Sequence, residues 1–366
     1  MARNPGPPTP WMVLAAAMAG WLAVGAARQQ QGSAHSKAPL RAVGRRRRRL
    51  GQRHAALGHD AAQPQEIPGR GWWQILKRTM KEAGNDRLLT EAAGITFYTL
   101  LALFPAIAAL VSIYGLVANP ETVQQQVQAL SGVVPGGGMQ IIEEQVTRVA
   151  SQPGGTLGFG VALGLLVSLW SANAATKAVF DSLNVIYEEE EKRGFVKRTL
   201  VTLAFTLGFL LFAVLAMAAV LVLPVVLGYL GLGTTVEWLL HVGRWPLLAV
   251  AVALVLAALY RYGPSRETAR WQWVSWGSVV ASVMWLLASL GFSWYVANFG
   301  SYNETYGSLG AVIGFMTWIW ISAAVVLFGA ELNAEMEHQT ARDTTTGPER
   351  PIGDRDAEMA DRVARP

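Results

Sequence analysis

Residues 271–336 constrain this chain more than any other stretch. They open WQWVSWGSVVASVMWLLASLGFSWYVANF, pass through the polar link GSYNETYGSLG and close AVIGFMTWIWISAAVVLFGAELNAEM. Each apolar half is long enough to cross the roughly 30 Å hydrocarbon core of a bilayer as a helix. The link is too short to fold alone, so it predicts a tight turn between two antiparallel spanning helices. Backbone groups in lipid must be satisfied inside helices or closed barrels. The runs do not alternate with period two, as barrel strands would. The expected fold is all-α, a polytopic membrane bundle.

The hairpin needs partners, and the chain supplies them. Residues 95–117 and 200–236 carry no charge at all. Soluble helices of that length would need charged positions on an outer face. Charged residues make up 15% of the chain, against roughly 25% in soluble domains. Many of the 14 tryptophans sit near the ends of apolar runs, among them Trp238, Trp245, Trp271, Trp273 and Trp294, where rings lie at headgroup depth. Helices are expected at 91–118 (kinked at Pro105), 157–187, 200–226 and 236–260. With the hairpin they make six core transmembrane helices.

Residues 11–27 (WMVLAAAMAGWLAVGAA) are at the short end for spanning. They read as an extra N-terminal helix, a signal-like segment or an interfacial segment. Residues 28–87 hold 14 of the 30 Lys and Arg, including the run 45–49. No aromatic residue interleaves that run. Contact with anionic lipid headgroups is therefore favoured over nucleic acid. Residues 1–71 are expected to be a poorly ordered basic extension, 72–337 the membrane domain and 338–366 a disordered polar tail. Within 72–90, Trp73, Leu76 and Met80 share one helical face with Lys77, Arg78 and Lys81 on the other, as in an interfacial amphipathic helix. Residues 119–156 suggest two short helices outside the bilayer or partly in its surface. Basic residues concentrate before the first core helix, at 192–198, at 261–270 and in the tail. The side that retains them is the cytoplasmic one, so both ends of the core are expected there.

Ionisable groups at membrane depth are costly and face the protein interior or water. Asn173, Lys177, Asp181 and Asn184 fall in the second helix, with Lys177 and Asp181 four apart and able to pair. A helix end emerging toward the cytoplasm would carry the same residues. Glu331, Asn333 and Glu335 close the sixth helix, where Gly329 and Ala330 permit close helix approach. Glu91 stands at the entrance of the first helix. Arg261 lies at the same depth, with Glu331 or Asp181 as candidate partners. Tyr302, Asn303, Glu304 and Tyr306 make an outer polar turn. Gly160 with Gly164, and Gly310 with Gly314, have small-residue packing spacing. No cysteine is present and the five histidines form no ligand set, so no metal or cofactor is expected.

The motifs AAGITFYTLLALFP, LWSANAATKAVFDSLNVIY, LYRYGP followed by ARWQWVSWGSVVASVMW, and YNETYGSLG followed by GAELNAE identify a resemblance. Over residues 72–337 the chain resembles the YihY/BrkB family of bacterial inner-membrane proteins. The resemblance implies six transmembrane helices with cytoplasmic ends. Its family-type positions are Pro105, Asn173, Asn184, Tyr187, Arg261, Pro264, Tyr306, Gly307, Trp320, Gly329, Glu331 and Asn333, which carry over as architectural or transport residues. A ribonuclease label once attached to the family finds no metal-ligand constellation here. The expected activity is that of a transporter or permease for a lipid, amphiphile or small solute. A noncatalytic envelope assembly factor and an integral-membrane enzyme are the alternatives. Expected partners are membrane lipids, with a homo-oligomer or envelope partner as further options.

Overall fold

The computed structural model describes residues 56–115, 157–229, 234–299 and 308–364. The expectations for 11–27, 119–156 and 300–307 lie outside the described residues. In chain order the helices are α1 (Gly69–Asn85), α2 (Leu88–Gly115), α3 (Leu157–Ile186), α4 (Phe195–Tyr229), α5 (Thr234–Tyr262), α6 (Trp271–Phe299), α7 (Ser308–Gln339) and the short α8 (Glu358–Asp361). A 3-10 turn at Pro64–Glu66 precedes α1. Extended pairing among the described residues is limited to one bridge, between Ala269 and Thr345.

Among the described residues, three helical stretches are long and apolar enough to cross a membrane: Phe195–Ala216 in α4, Trp271–Val296 in α6 and Val312–Gln339 in α7. Leu88–Leu103 in α2 and Pro246–Tyr262 in α5 are shorter apolar stretches. The outward residues explain why these helices avoid water. On α6, Trp276, Val279, Val283, Leu287, Leu290 and Trp294 are exposed and recur every three or four residues, forming one continuous stripe. On α4, Leu200, Leu207, Leu211 and Leu215 repeat the pattern. Such a surface needs lipid around it.

Packing organises around α7, which touches α1, α2, α3, α6 and α8. The α6–α7 pair is cross-stitched by two indoles. Trp285 Nε1 donates to Ser322 Oγ at 3.0 Å and Trp318 Nε1 to Ser289 Oγ at 3.3 Å. Trp320 Nε1 ties α7 to the Leu89 carbonyl of α2 at 3.0 Å. Between α3 and α4, Phe180 meets Phe205 edge-on with centroids 5.3 Å apart. The most buried side chains, including Phe180, Leu183, Tyr187, Tyr260, Trp273 and Leu327, gather toward one end of the bundle. That end also carries α1, the 187–194 and 263–270 links and the chain after Gln339. It is the polar end of the bundle. Trp273 is fully buried beside Ile75 and Met336 rather than standing at headgroup depth.

Other expectations are corrected too. The amphipathic segment does not run through residue 90. It breaks at Asp86 and Arg87, where Arg87 takes φ 52° and the Asp86 N–H bonds back to Glu82 O at 2.8 Å, so α2 starts three residues before Glu91. Gly84, Asn85 and Asp86 are poor helix formers and favour such an end. On α1, Arg78 does not join Lys77 and Lys81 on a water-facing side. It turns inward onto Glu335 while Gly71, Ile75 and Thr79 are buried and Trp73, Leu76 and Met80 are exposed.

The tail, expected to be disordered, folds back on the polar end. Arg355 is 3% exposed. Its guanidinium donates to the carbonyls of Ala341, Arg342, Arg350 and Ala360. Asp343 takes the N–H groups of Thr345 and Arg350. Composition misled here because two charged side chains do the ordering that apolar ones usually do. The order extends upstream as well. Ala61 and Ile67 are buried, and Thr340 Oγ1 donates to Ala61 O at 2.7 Å.

Candidate functional site at the polar end of the bundle

Three of the four polar candidates on α3 have partners of their own. Lys177 and Asp181 do not pair. Lys177 Nζ stands over the rings of Trp170 and Phe195, 5.5 Å from each centroid, while Asp181 is bridged by Arg198 of α4. The wider reach of arginine and its planar fork favour it at that carboxylate. Asn184 links elements instead of facing a cavity: its Oδ1 accepts the Ser265 N–H at 2.8 Å and its Nδ2 reaches Glu191 at 3.3 Å. Glu91 accepts Ser182 Oγ at 2.8 Å. Deeper in α3, Asn173 is 3% exposed with its Oδ1 unpartnered among the described residues. It lies about 20 Å from the helix end by the rise per residue.

Between α6 and α7, glycines set the approach. A Cβ at Gly277 would overlap the Gly329 carbonyl and the Asn333 amide, and one at Gly329 would overlap Ala281 and the Tyr260 hydroxyl. The closeness lets Asn333 reach the α6 backbone. Its Oδ1 accepts Gly277 N–H at 2.8 Å and its Nδ2 donates to Val274 O at 3.1 Å. Tyr260 Oη donates to Val326 O at 2.7 Å. Gly314 meets nothing within contact distance. Gly310 is buried, and Gly160 and Gly164 lie in the first turns of α3. Pro105 sits inside α2, which continues past it to Gly115.

Arg261 reaches neither Glu331 nor Asp181. It donates to the Ala269 carbonyl and stacks over Trp271 at 4.7 Å and Tyr262 at 5.3 Å. A short link from α5 to α6 keeps its guanidinium local. The arginine that enters the interior is Arg266, which forms a two-pronged pair with Glu337 at 2.8 and 2.7 Å, both side chains fully buried. Arg266 also lies over the Tyr187 ring at 4.2 Å, and Thr344 Oγ1 adds a third hydrogen bond to Glu337 at 2.9 Å. Glu335 is answered by Arg78 of α1, which continues to Gln339 Oε1 at 2.7 Å.

Glu331 remains. It is 1% exposed, and no N–H or O–H among the described residues donates to either oxygen. The carboxyl of Asp86, from the α1–α2 elbow, lies within electrostatic range of it. Glu82 and Glu335 are the next charges around Glu331. The Tyr187 hydroxyl, fully buried and unpartnered, lies within its electrostatic range. Burial, then the charges of Glu82 and Glu188, push the Asp86 carboxyl up to about 6. Nearby Glu191 goes the other way. Burial would raise it, but the side chain and backbone N–H of Arg193 hold it at about 2. Sequence reasoning singled out Glu331 but missed Asp86, Arg78 and Arg266. Asp86 sits in a segment read as continuous surface helix, where a carboxylate carries no signal. Among the described residues no cluster of His, Cys, Asp or Glu could hold a metal ion.

A bundle whose helices present apolar stripes outward and bury unneutralised carboxyls at one end is a multi-pass, all-α membrane protein. The chain belongs to the family described as Virulence factor BrkB, whose model matches residues 79–353. It is 27% identical over 254 residues to the ribonuclease-like protein YfkH of Bacillus subtilis, a match covering 67% of this chain and 88% of that protein. It is 28% identical to UPF0761 membrane proteins of Methylibium petroleiphilum and Ralstonia nicotianae, each match covering 72% of this chain. Those matches cover 62% and 58% of the two relatives. The membrane-protein descriptions of the relatives outweigh the ribonuclease-like name carried by one of them. No solved structure matches the chain.

Proposed function

We propose that the chain is a transporter or permease of the bacterial inner membrane, with its polar end in the cytoplasm, six membrane-crossing helices (α2 to α7) and a lipid, amphiphile or small solute as cargo. The observation that carries this reading is Glu331, an unneutralised carboxyl on a membrane-crossing helix. An intramembrane ionisable group without a structural partner marks an ion or substrate path. Glu91, Asp181, Asn184 and Asn333 are committed to holding elements together, whereas the buried carboxyl of Glu331 has no such architectural return. The polar end also carries the basic links Lys192–Arg198 and Arg261–Arg270, the charge bias of a cytoplasmic face.

The test is flux in proteoliposomes, comparing the unaltered chain, Glu331→Gln and empty vesicles at matched protein levels. Glu331→Gln should abolish flux while folded protein stays in the membrane. Equal flux in the two proteins would remove Glu331 from the mechanism. Absence of flux across a broad panel of lipids and solutes, with folding verified, would transfer the chain to an assembly role.

A further inference from the structure

Lys177 of α3 carries a full charge and meets no carboxylate among the described residues. Asp181, one turn along, is bridged by Arg198 instead. What surrounds the ammonium is aromatic: the ring centroids of Trp170 and Phe195 each lie 5.5 Å from Nζ. Ring faces attract a cation but do not neutralise it. Both rings are turned outward, Trp170 65% and Phe195 73% exposed, so the ammonium stands on the outer surface of the bundle. Phe195 fixes its depth. It is the first residue of α4 and of the apolar stretch Phe195–Ala216, and its ring marks where hydrocarbon begins at the polar end. From Lys177 to the end of α3 at Ile186 is about 14 Å by the rise per residue. A lysine at such a border needs its head in contact with phosphate or water.

We propose that this face of α3 and α4 binds an anionic phospholipid of the surrounding bilayer, its phosphate on the Lys177 ammonium and its chains along Leu166 and Trp170. Leu166 and Trp170 share the α3 face that carries Lys177, and both are exposed, which gives an acyl chain an apolar track leading away from the charge. The frame is rigid. The Thr176 and Thr206 hydroxyls join the two helices at 2.8 Å, and Phe180 packs on Phe205 beside them. Charge complementarity selects the lipid class. The rim holds Lys177, the exposed Lys197 and the first turn of α4, whose helix dipole favours negative charge. Its carboxylate, Asp181, is already answered by Arg198. A zwitterionic headgroup would bring its own cation to that rim, whereas an anionic one brings the missing counter-charge. The two rings shield the pairing from water and strengthen it. The site belongs to the folded bundle and needs no cargo.

The experiment is native mass spectrometry of the full chain released from detergent micelles, titrated with phosphatidylglycerol or phosphatidylcholine of the same acyl chains. The unaltered chain should bind phosphatidylglycerol about fivefold more tightly than phosphatidylcholine. Lys177→Gln should erase that preference by weakening phosphatidylglycerol alone, and Lys177→Arg should keep it. Trp170→Leu retains the charge but loses one ring, and should weaken phosphatidylglycerol about twofold to fivefold. Arg342→Gln removes an exposed cation of the tail and should change nothing. Near-ultraviolet circular dichroism checks that each variant is folded, and Trp170→Leu decides the matter if Lys177→Gln does not fold. Equal binding of phosphatidylglycerol by Lys177→Gln and the unaltered chain would overturn the proposal. So would displacement of the lipid by inorganic phosphate, the signature of a soluble ligand. A dimer of the unaltered chain that becomes monomeric in Lys177→Gln would also overturn it, because a second copy would then cover the face. A failed flux assay with the lipid preference intact would reject transport and leave the lipid site standing.

Discussion

Asn333 and Glu331, two residues apart on α7, illustrate how little a residue's type says about its task. Asn333 satisfies both ends of its amide on the α6 backbone, and the approach that permits this depends on Gly277. Adding one methyl there forces two helices apart. Gly277→Ala should destabilise the protein by about 1–3 kcal/mol, read as a lowered midpoint in thermal unfolding in detergent. The Arg266–Glu337 pair is a sharper case. Glu337→Gln leaves a buried guanidinium without its counter-charge and should cost about 3–5 kcal/mol. Replacing both partners by methionine should recover most of the loss, and a double-mutant cycle measures it.

Two carboxyls at the polar end give opposite pH dependences. Glu191 is held at about 2, below its ordinary 4.5. The folded state thus binds its proton less readily than the unfolded chain, and the stability it contributes is present above about pH 4.5 and lost as pH falls toward 2. Asp86 is raised from 3.8 to about 6. Its contribution is full below its unfolded value and declines as pH rises through 6. Asp86→Asn should therefore flatten the decline in unfolding midpoint between pH 4 and pH 6, and a slope unchanged from the parent would contradict the assignment.

Among the elements, α1 shows two opposed faces. One face is pinned to α7 through Arg78, Glu335 and Gln339, and the other shows Trp73, Leu76 and Met80 to the surroundings. Arg78→Ala should loosen α1 alone, raising hydrogen exchange over residues 69–85 while α6 and α7 stay protected. The apolar periodicity of α4, α6 and α7 was legible because lipid imposes one composition on whole segments. The outward amphipathic face of α1 was legible for the same reason. The inward turn of Arg78 was not, since a helix with charges on two sides can dock by either. The Lys177–Asp181 spacing allowed a pair, but Arg198 on the neighbouring helix competed for the same carboxylate, and cross-helix competition leaves no trace in spacing.

For the whole molecule, the membrane class was readable from the sequence and the polar end was not. Its order comes from contacts between residues far apart in the chain, chiefly backbone carbonyls caught by arginine and glutamine side chains. Gln339 Nε2 donates to Leu57 O at 2.7 Å, and Ala364 N–H bonds to His338 O at 2.8 Å. Composition describes neither. Arg355→Leu removes the donor set that holds four carbonyls and should release the tail, making residues 341–364 the first site of proteolytic cleavage in intact vesicles. A tail as resistant as the parent's would show that Asp343 and α8 suffice.

The clasp between Leu57 and Gln339 also sets a timetable for biosynthesis. Segments 57–87 leave the ribosome hundreds of residues before the α7 end that they grip, so α1 and the elbow spend most of translation without their docking surface. Insertion of the last long helix brings Glu335 and Gln339 to Arg78 and the Leu57 carbonyl, and the docking of α1 becomes part of the final assembly step.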